Sequence, residues 1–130
     1  MATFADTSAL YALLDRDEEN HQAAAEGFAS CRNDDLVTHN YVVVETTALT
    51  QARLGMRETR QFLDAVLAAV EVVWVTPELH ANATAALLAA GTKGVSLVDR
   101  VSFAFMRQRG LRRAFAFDRD FRREGFALVP

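Results

Sequence analysis

Short apolar runs alternate with helical segments along the whole chain. These runs fall at residues 2–5, 36–38, 72–75, 114–117 and 127–129, and several are continuously apolar. Strands that are buried on both faces have this composition, whereas strands with one face in water alternate between apolar and polar residues. The pattern therefore predicts an α/β fold, a three-layer sandwich in which a central parallel sheet lies between two layers of helices.

The segments between the apolar runs carry helix signals. We expect Thr7 or Ser8 to cap the first helix, Asn40 the third and Ser96 the last long one, while Gly55 is placed to end the third. The predicted helices cover residues 9–14, 21–31, 41–54, 57–70, 78–90 and 97–108, with a short helical turn around residue 121.

Length and composition indicate one globular domain. The chain has 130 residues, is 51% hydrophobic and 24% charged, and shows no internal repeat or linker, so we predict a single domain over residues 1–130. No apolar stretch is long enough to span a membrane, and an N-terminus that reaches Asp6 without a basic segment does not resemble a signal peptide. Cys31 is the only cysteine, which favours a reducing, cytoplasmic location.

Four carboxylates stand where folding alone does not require them. Asp6 and Asp118 each follow an apolar run, at the carboxyl ends of strands where α/β proteins bind ligands. Asp99 lies in the first turn of the helix that follows Ser96, and Glu45 lies within the predicted core-facing stripe of its helix. Each has a structural alternative: the aspartates can cap or stabilise helix N-termini, and Glu45 can form a buried ion pair with an arginine. That stripe consists of Tyr41, Val42, Ala48, Leu49 and Ala52.

If these four carboxylates cluster in the folded chain, they predict a site for a divalent cation. Clustered carboxylates raise one another's pKa unless a cation neutralises them. Oxygen ligands without thiolates or imidazoles select hard ions such as Mg²⁺ or Mn²⁺. The three histidines, His21, His39 and His80, lack the spacing of a zinc site, and we expect each at the surface or as a helix cap.

Charge is distributed unevenly along the chain. The net charge is −3, but eight arginines fall between residues 100 and 130, and eight acidic residues fall within the first 35. A basic segment can hold a phosphate backbone; alternatively, these arginines cover helix faces and pair with the acidic first third. A metal site beside a basic segment favours phosphodiester hydrolysis, in which the ion activates a water and stabilises the leaving oxygen.

The chain resembles the PIN-domain family, in particular the VapC-type toxin ribonucleases of prokaryotic toxin–antitoxin modules. The resemblance is carried by residues 4–10 (Phe-Ala-Asp-Thr-Ser-Ala-Leu), Glu45, residues 96–99 (Ser-Leu-Val-Asp), and residues 117–121 (Phe-Asp-Arg-Asp-Phe) with the Gly-Phe at 125–126. It implies a Mg²⁺- or Mn²⁺-dependent endoribonuclease. The residues it assigns are Asp6, Glu45, Asp99 and Asp118 as catalytic metal ligands, with Ser8 and Asp120 as supporting residues. From the basic C-terminal segment we expect Arg112, Arg113 and Arg119 to contact the RNA.

The resemblance also implies partners. Toxins of this kind form homodimers and are inhibited by a cognate VapB-type antitoxin whose C-terminal segment lies over the active site. Tyr11, Leu14 and Phe28 are candidates for its groove, although each is also typical of a core position. One position departs from the family pattern: Ala116 stands where a Thr or Ser is usual, so a hydroxyl near the last acidic residue is missing.

Three other functions compete with a nuclease. A PIN-fold module that has lost activity and only binds RNA or protein is consistent with Ala116, but the four acidic residues disfavour it. A receiver-like signalling module needs an aspartate after a central strand, whereas the runs at 36–38 and 72–75 lead into Thr38-His39 and Thr76-Pro77. A phosphatase that uses Asp118 and Asp120 would carry its aspartate pair after the first strand.

Overall fold

Five parallel strands form one sheet in the computed structural model, which describes residues 1–31 and 35–130. The strands are β1 (Thr3–Ala5), β2 (Leu36–His39), β3 (Glu71–Val73), β4 (Arg113–Phe115) and β5 (Ala127–Val129). Their order across the sheet is β3-β2-β1-β4-β5, and each neighbouring pair is parallel. The predicted parallel sheet is confirmed, with strand ends that shift by one or two residues.

Helices fill the connections between the strands. The helices are α1 (Thr7–Leu14), α2 (His21–Ser30), α3 (Asn40–Arg53), α4 (Met56–Arg60), α5 (Pro77–Ala90), α6 (Leu97–Gln108) and α7 (Asp120–Arg123). The helix predicted for residues 57–70 is only partly α-helical, because α4 continues as a π-helical turn (Gln61–Val66) and a 3₁₀ turn (Leu67–Ala69).

The strand order places the helices on both faces of the sheet. From β1 the chain moves outward through β2 to β3, then returns to the other side of β1 for β4 and β5. Because crossover connections are right-handed, this reversal puts the α1–α4 connections on one face and α5–α7 on the other. The direction changes between β1 and β4, and the crevice at the carboxyl ends of these two strands is the expected ligand position.

Two helix caps differ from the prediction. Asp6, rather than Thr7 or Ser8, caps α1, because its carboxylate accepts a hydrogen bond from the backbone N–H of Ser8 (3.1 Å). His39, rather than Asn40, caps α3 through its ring Nδ1, which accepts from the N–H of Val42 (3.3 Å).

Ser96 caps α6, as predicted. Its hydroxyl accepts from the N–H of Asp99 (3.1 Å), and the Asp99 carboxylate accepts in return from the N–H of Ser96 (3.4 Å). This reciprocal pair is a capping box, which satisfies two amide groups that the first turn leaves without helical partners.

The face of α3 that meets the core differs from the predicted stripe. Its buried residues are Val42, Thr46 and Thr50, spaced four apart, while Ala48 and Ala52 are exposed and Glu45 is half-buried. The prediction followed apolar residues alone, whereas this helix buries threonines. The Thr46 hydroxyl donates to the hydroxyl of Thr7 on α1 (3.1 Å), so its burial leaves it hydrogen-bonded.

Aromatic side chains make up much of the core around β1. The ring of Phe4 lies 5.5 Å from that of His39, 5.8 Å from Phe105 and 6.0 Å from Phe121, measured between centroids. Packing of Phe4 against rings from β2, α6 and α7 therefore fixes the strand that leads into Asp6. Among the described residues, no helix is long and apolar enough to cross a membrane.

Candidate active site

Asp6 is a buried carboxyl group at the end of β1. Its side chain is 3% exposed, and its backbone N–H donates to the carbonyl of Phe115 at the end of β4 (3.0 Å). Desolvation by burial is the main cause that raises its pKa to about 7, and the charges of Asp99 and Glu45 raise it further, against the hydrogen bonds from Ser8. Burial among like charges therefore favours the protonated form of Asp6 far more than in a solvent-exposed aspartate.

Ser8 connects the ends of β1 and β4. Its hydroxyl donates to the Asp6 carboxylate (2.6 Å) and accepts from the backbone N–H of Phe117 (3.0 Å). Ser8 thus holds Asp6 in one orientation and fixes the backbone next to Asp118. Ser8 also supplies a hydroxyl next to Ala116, whose own side chain has none.

Three further carboxylates meet above this crevice. Asp99, Asp118 and Asp120 can each direct one oxygen so that all three oxygens lie within 4.8 Å of one another, and all three residues are partly exposed. Asp118 is fixed by its own loop, because its carboxylate accepts from the N–H of Asp120 (2.9 Å). Asp120, expected only as a supporting residue, is thus a full member of the group, and its Asp-x-Asp spacing with Asp118 is the signal that could have found it.

The Asp99 carboxyl group is electrostatically coupled to its neighbours. Its pKa rises to about 6, mainly through desolvation and the negative charge of Asp118, with a smaller contribution from Glu45. The hydrogen bonds to Ser96 oppose this rise. Asp99 therefore serves two roles, since it stabilises the start of α6 and presents its carboxyl group to the cluster.

Glu45 approaches the same cluster from α3. Its negative charge raises the pKa of both Asp6 and Asp99, so it lies within electrostatic reach of each. In the described part of the chain Glu45 forms no ion pair, which removes the structural alternative of a buried partner arginine among those residues. It is half-buried rather than fully enclosed, at the edge of the face that α3 turns to the core.

The cluster fits a hard divalent cation. Five carboxyl groups from four parts of the chain interact: oxygens of three of them lie within 4.8 Å of one another, and the other two are electrostatically coupled to that group. The one ion pair that any of them forms within the described residues is between Asp120 and Arg123 (2.9 Å). The pKa values of Asp6 and Asp99 are raised first by desolvation and then by the like charges nearby, and a bound cation would oppose both effects. All the donors are oxygens, the chemistry that Mg²⁺ and Mn²⁺ prefer. Those groups are Asp6, Glu45, Asp99, Asp118 and Asp120.

The arginines expected to contact RNA divide into two sets. Arg119 lies between Asp118 and Asp120 in the sequence, and its side chain is exposed. Arg112 and Arg113 lie at the opposite, amino-terminal end of β4. Arg113 is half-buried, and its guanidinium donates to the hydroxyl of Thr3 at the start of β1 (2.9 Å). The structure therefore does not bring Arg112 and Arg113 together with the acidic cluster.

The apolar residues proposed for an antitoxin groove are mostly part of the core. Tyr11 and Leu14 are buried, and Phe28 is half-buried with its ring centroid 6.3 Å from that of Phe115. The Tyr11 hydroxyl donates to the carboxylate of Asp15 (2.6 Å). These contacts show packing roles for all three residues in the isolated chain.

The fold and the acidic crevice together define a PIN domain. A family model of the PIN domain matches residues 3–127, and the chain belongs to that family. The parallel sheet, the switch point between β1 and β4 and the acidic residues at their carboxyl ends agree with this membership.

Within the family, the chain is similar to a toxin from Mycobacterium tuberculosis. It is 35% identical over 127 residues to the 23S rRNA-specific endonuclease VapC20, a match that covers 97% of this chain and 96% of the relative. The crystal structure of VapC20, described as a sarcin-ricin loop cleaving toxin, superposes with a TM-score of 0.89 at 32% identity and full coverage of both chains. VapBC2 from Rickettsia felis shares the fold, with a TM-score of 0.73 at 10% identity over 98% of this chain and 97% of that one.

Proposed function

We propose that this protein is a metal-dependent endoribonuclease, the toxin of a toxin–antitoxin pair. The observation that carries the proposal is the convergence of five carboxyl groups at the switch point of the sheet, with the pKa of Asp6 and Asp99 raised by burial and mutual repulsion. Membership of the PIN domain family and the similarity to VapC20 give the reaction class.

Each acidic residue has a distinct position in this proposal. Asp99 and Asp118 offer partly exposed carboxylate oxygens, and the buried Asp6 offers one whose orientation is fixed by Ser8. These three residues would hold Mg²⁺ or Mn²⁺. Glu45 and Asp120 would complete the set. When bound, such an ion lowers the pKa of a water and stabilises the leaving oxygen. Ser8 keeps Asp6 in place through its 2.6 Å hydrogen bond. The cluster would orient the attacking water against the phosphorus.

The proposed substrate and partners follow from the similarity to VapC20. That relative is named for 23S rRNA and for cleavage of the sarcin-ricin loop, and the similarity covers nearly the whole of this chain. We propose a structured loop of ribosomal RNA as the substrate, which implies action in the cytoplasm. A cognate antitoxin and a homodimeric state are proposed on the same basis of similarity to toxins of this family.

A catalytically weakened binding module is the second candidate, on the observation that Ala116 lacks the hydroxyl usual in the family. A hydroxyl nevertheless lies near Ala116, because the Ser8 side chain accepts a hydrogen bond from the backbone N–H of Phe117. That contact favours the nuclease, because the end of β4 is held in place without a side chain at position 116.

A combined binding and cleavage experiment tests the proposal. Mn²⁺ is titrated by calorimetry into the wild type and Glu45→Gln, and the same samples are assayed on an rRNA fragment that contains the sarcin-ricin loop. We expect Mn²⁺ affinity to fall about 10–100-fold in Glu45→Gln and cleavage to fall with it. The matched control is Glu78→Gln, an exposed glutamate in the first turn of α5.

The two outcomes separate the candidates. Loss of Mn²⁺ affinity and cleavage together in Glu45→Gln, but not in Glu78→Gln, supports the metal-dependent nuclease. A wild type that binds Mn²⁺ no better than Glu45→Gln and cleaves no RNA would establish the binding module instead.

A further inference from the structure

A surface cavity lies beside the acidic cluster, between the end of β4 and α7. Its volume is about 430 Å³, within the roughly 300–1,000 Å³ range of small-molecule sites. Two kinds of side chain line it: the apolar Phe117 and Leu128, and the guanidinium groups of Arg119, Arg122 and Arg123. The cavity thus combines an apolar surface with concentrated positive charge.

Two of the three arginines are available to a ligand. Arg123 is engaged, because its Nη1 donates to the Asp120 carboxylate (2.9 Å). Arg119 and Arg122 are exposed, and neither guanidinium forms a hydrogen bond or an ion pair with residues 1–31 or 35–130. The guanidinium group is planar and presents several N–H donors, which suits it to phosphate oxygens.

The cavity and the acidic cluster share one segment of chain. Phe117, which lines the cavity, donates its backbone N–H to Ser8, and Ser8 in turn holds Asp6. Arg123, which also lines the cavity, pairs with the Asp120 carboxylate of the cluster (2.9 Å). A ligand held in this cavity is therefore separated by one side chain from the group that would bind the metal.

We propose that this cavity binds one unpaired nucleotide of the RNA, adjacent to the bond that is cleaved. Arg119 and Arg122 would bind its phosphate, and its base would pack against the ring of Phe117 and the side chain of Leu128. A nucleotide joins a flat apolar ring system to an anion, which is the combination that these residues present. Base stacking on aromatic side chains is a general mode of binding to unpaired RNA. The inference rests on the proposed nuclease function and deepens it.

Equilibrium binding of RNA tests the cavity. The probe is a single-stranded RNA oligonucleotide with 2-aminopurine at one position, measured by fluorescence anisotropy in EDTA so that it is not cleaved. We expect the double variant Arg119→Ala/Arg122→Ala to bind about 10–100-fold more weakly. The logarithmic salt slope should flatten by about one for each phosphate that the variant no longer binds. Arg60→Ala, an exposed arginine on α4, is the matched control and should bind within about twofold of wild type.

A second variant separates stacking from charge. Phe117→Leu keeps an apolar side chain at the end of β4 but loses the aromatic face. We expect it to retain the salt dependence of the wild type and to bind the oligonucleotide about 5–10-fold more weakly, since stacking of a base on an aromatic ring favours binding. Affinity within about twofold of wild type would remove the base from the ring of Phe117 and overturn that half of the proposal.

The failure of the cavity and the failure of the nuclease are distinguishable. Cleavage of the same RNA with Mn²⁺ is measured separately, and a wild type that cleaves nothing overturns the proposed function whatever the anisotropy shows. Equal binding by Arg119→Ala/Arg122→Ala and Arg60→Ala overturns the cavity as a nucleotide site, even if the wild type cleaves. A wild type without measurable affinity for the oligonucleotide overturns it as well.

Discussion

The neighbouring strands β1 and β2 each lead to a buried titratable residue, and the surroundings of these two residues differ in whether their polar groups are satisfied. At the end of β2, His39 is fully buried and every polar atom of its ring has a partner. After β1, Asp6 is almost as buried but lies among other carboxyl groups that raise its pKa. Both residues cap a helix, so capping by itself does not distinguish them.

The hydrogen bonds around His39 form a continuous series from the N–H of Val42 to the carbonyl of Val98. Because its Nδ1 accepts from the N–H of Val42, the proton is on Nε2, which donates to the hydroxyl of Ser102 (2.9 Å). That hydroxyl donates to the carbonyl of Val98 (2.9 Å). Burial lowers the pKa of His39 to about 4, so the ring is neutral at pH 7 and needs no counter-ion.

The difference shows which buried polar groups stabilise the fold and which are kept for chemistry. Around His39 all donors and acceptors are satisfied without an external ligand. Around Asp6 the nearest charges, Asp99 and Glu45, have the same sign as its own, and only a cation would balance them. The satisfied group supports α3 and α6, whereas the unbalanced group is the proposed metal site.

Asp99→Asn is the substitution from which we expect the largest effect, a loss of RNA cleavage of about 1,000-fold, or about 4 kcal/mol in activation free energy. The amide keeps an oxygen that can accept from the N–H of Ser96, so the capping box and the fold persist. The measurement is cleavage with Mn²⁺ beside thermal unfolding without metal. Cleavage within tenfold of wild type would exclude Asp99 as a metal ligand.

His39→Ala is expected to have the opposite profile. It removes the cap of α3, leaves a cavity and deprives Ser102 of its partner, for a loss of about 3 kcal/mol in the free energy of unfolding. Urea denaturation at pH 7 measures this, with Ser102→Ala as a milder companion at about 1 kcal/mol. A loss below about 1 kcal/mol in His39→Ala would show that the hydrogen-bonded chain is not a main source of stability.

Without metal, the stability of Asp6→Asn relative to wild type should increase as the pH rises. The pKa of Asp6 is near 7 in the folded state and near 3.8 in the unfolded state, so between these values the folded state binds more protons and loses stability as pH rises. We expect the stability difference between variant and wild type to grow by about 2 kcal/mol from pH 5 to pH 8.

Comparing Asp6→Asn with wild type separates the pH dependence caused by Asp6 from that caused by His39. The pKa of His39 is lowered on folding, so its contribution has the other sign: stability is lost as pH falls from about 6.5 towards 4. This contribution is common to Asp6→Asn and wild type and cancels in their difference. A pH-independent difference would contradict the raised pKa of Asp6, and saturating Mn²⁺ should reduce the difference by keeping the wild-type carboxylate ionised.

Local signals in the sequence were sufficient for the sheet and most of the helices. Apolar runs between helical segments predicted all five strands, and Ser96 predicted the start of α6. Capping by Asp6 and by His39 was open as an alternative, but Thr7 or Ser8 and Asn40 were preferred, because several neighbouring residues are capable of capping and the backbone geometry selects among them.

The placement of side chains around the site was harder to predict from the sequence. Glu45 was expected on a core-facing stripe, but α3 buries Val42, Thr46 and Thr50. The Thr46 hydroxyl is hydrogen-bonded to Thr7, whereas the Thr50 hydroxyl is buried without a partner among the described residues, so a stripe of apolar residues alone did not identify this face. Arg112 and Arg113 were grouped with Arg119 by their proximity in sequence. β4 runs between them, so they lie at opposite ends of the sheet.

The sequence by itself determined the α/β architecture and its parallel strands and made Asp6, Glu45, Asp99 and Asp118 candidates for a metal site, because periodicity and strand-end position are local properties of a chain. Only the tertiary structure decided that β1 and β4 are neighbours, that Asp120 joins Asp99 and Asp118, and that Arg119 and Arg122 face a cavity beside them. These depend on strand order and on distances between residues up to about a hundred positions apart, and electrostatic interactions act through those distances rather than along the sequence.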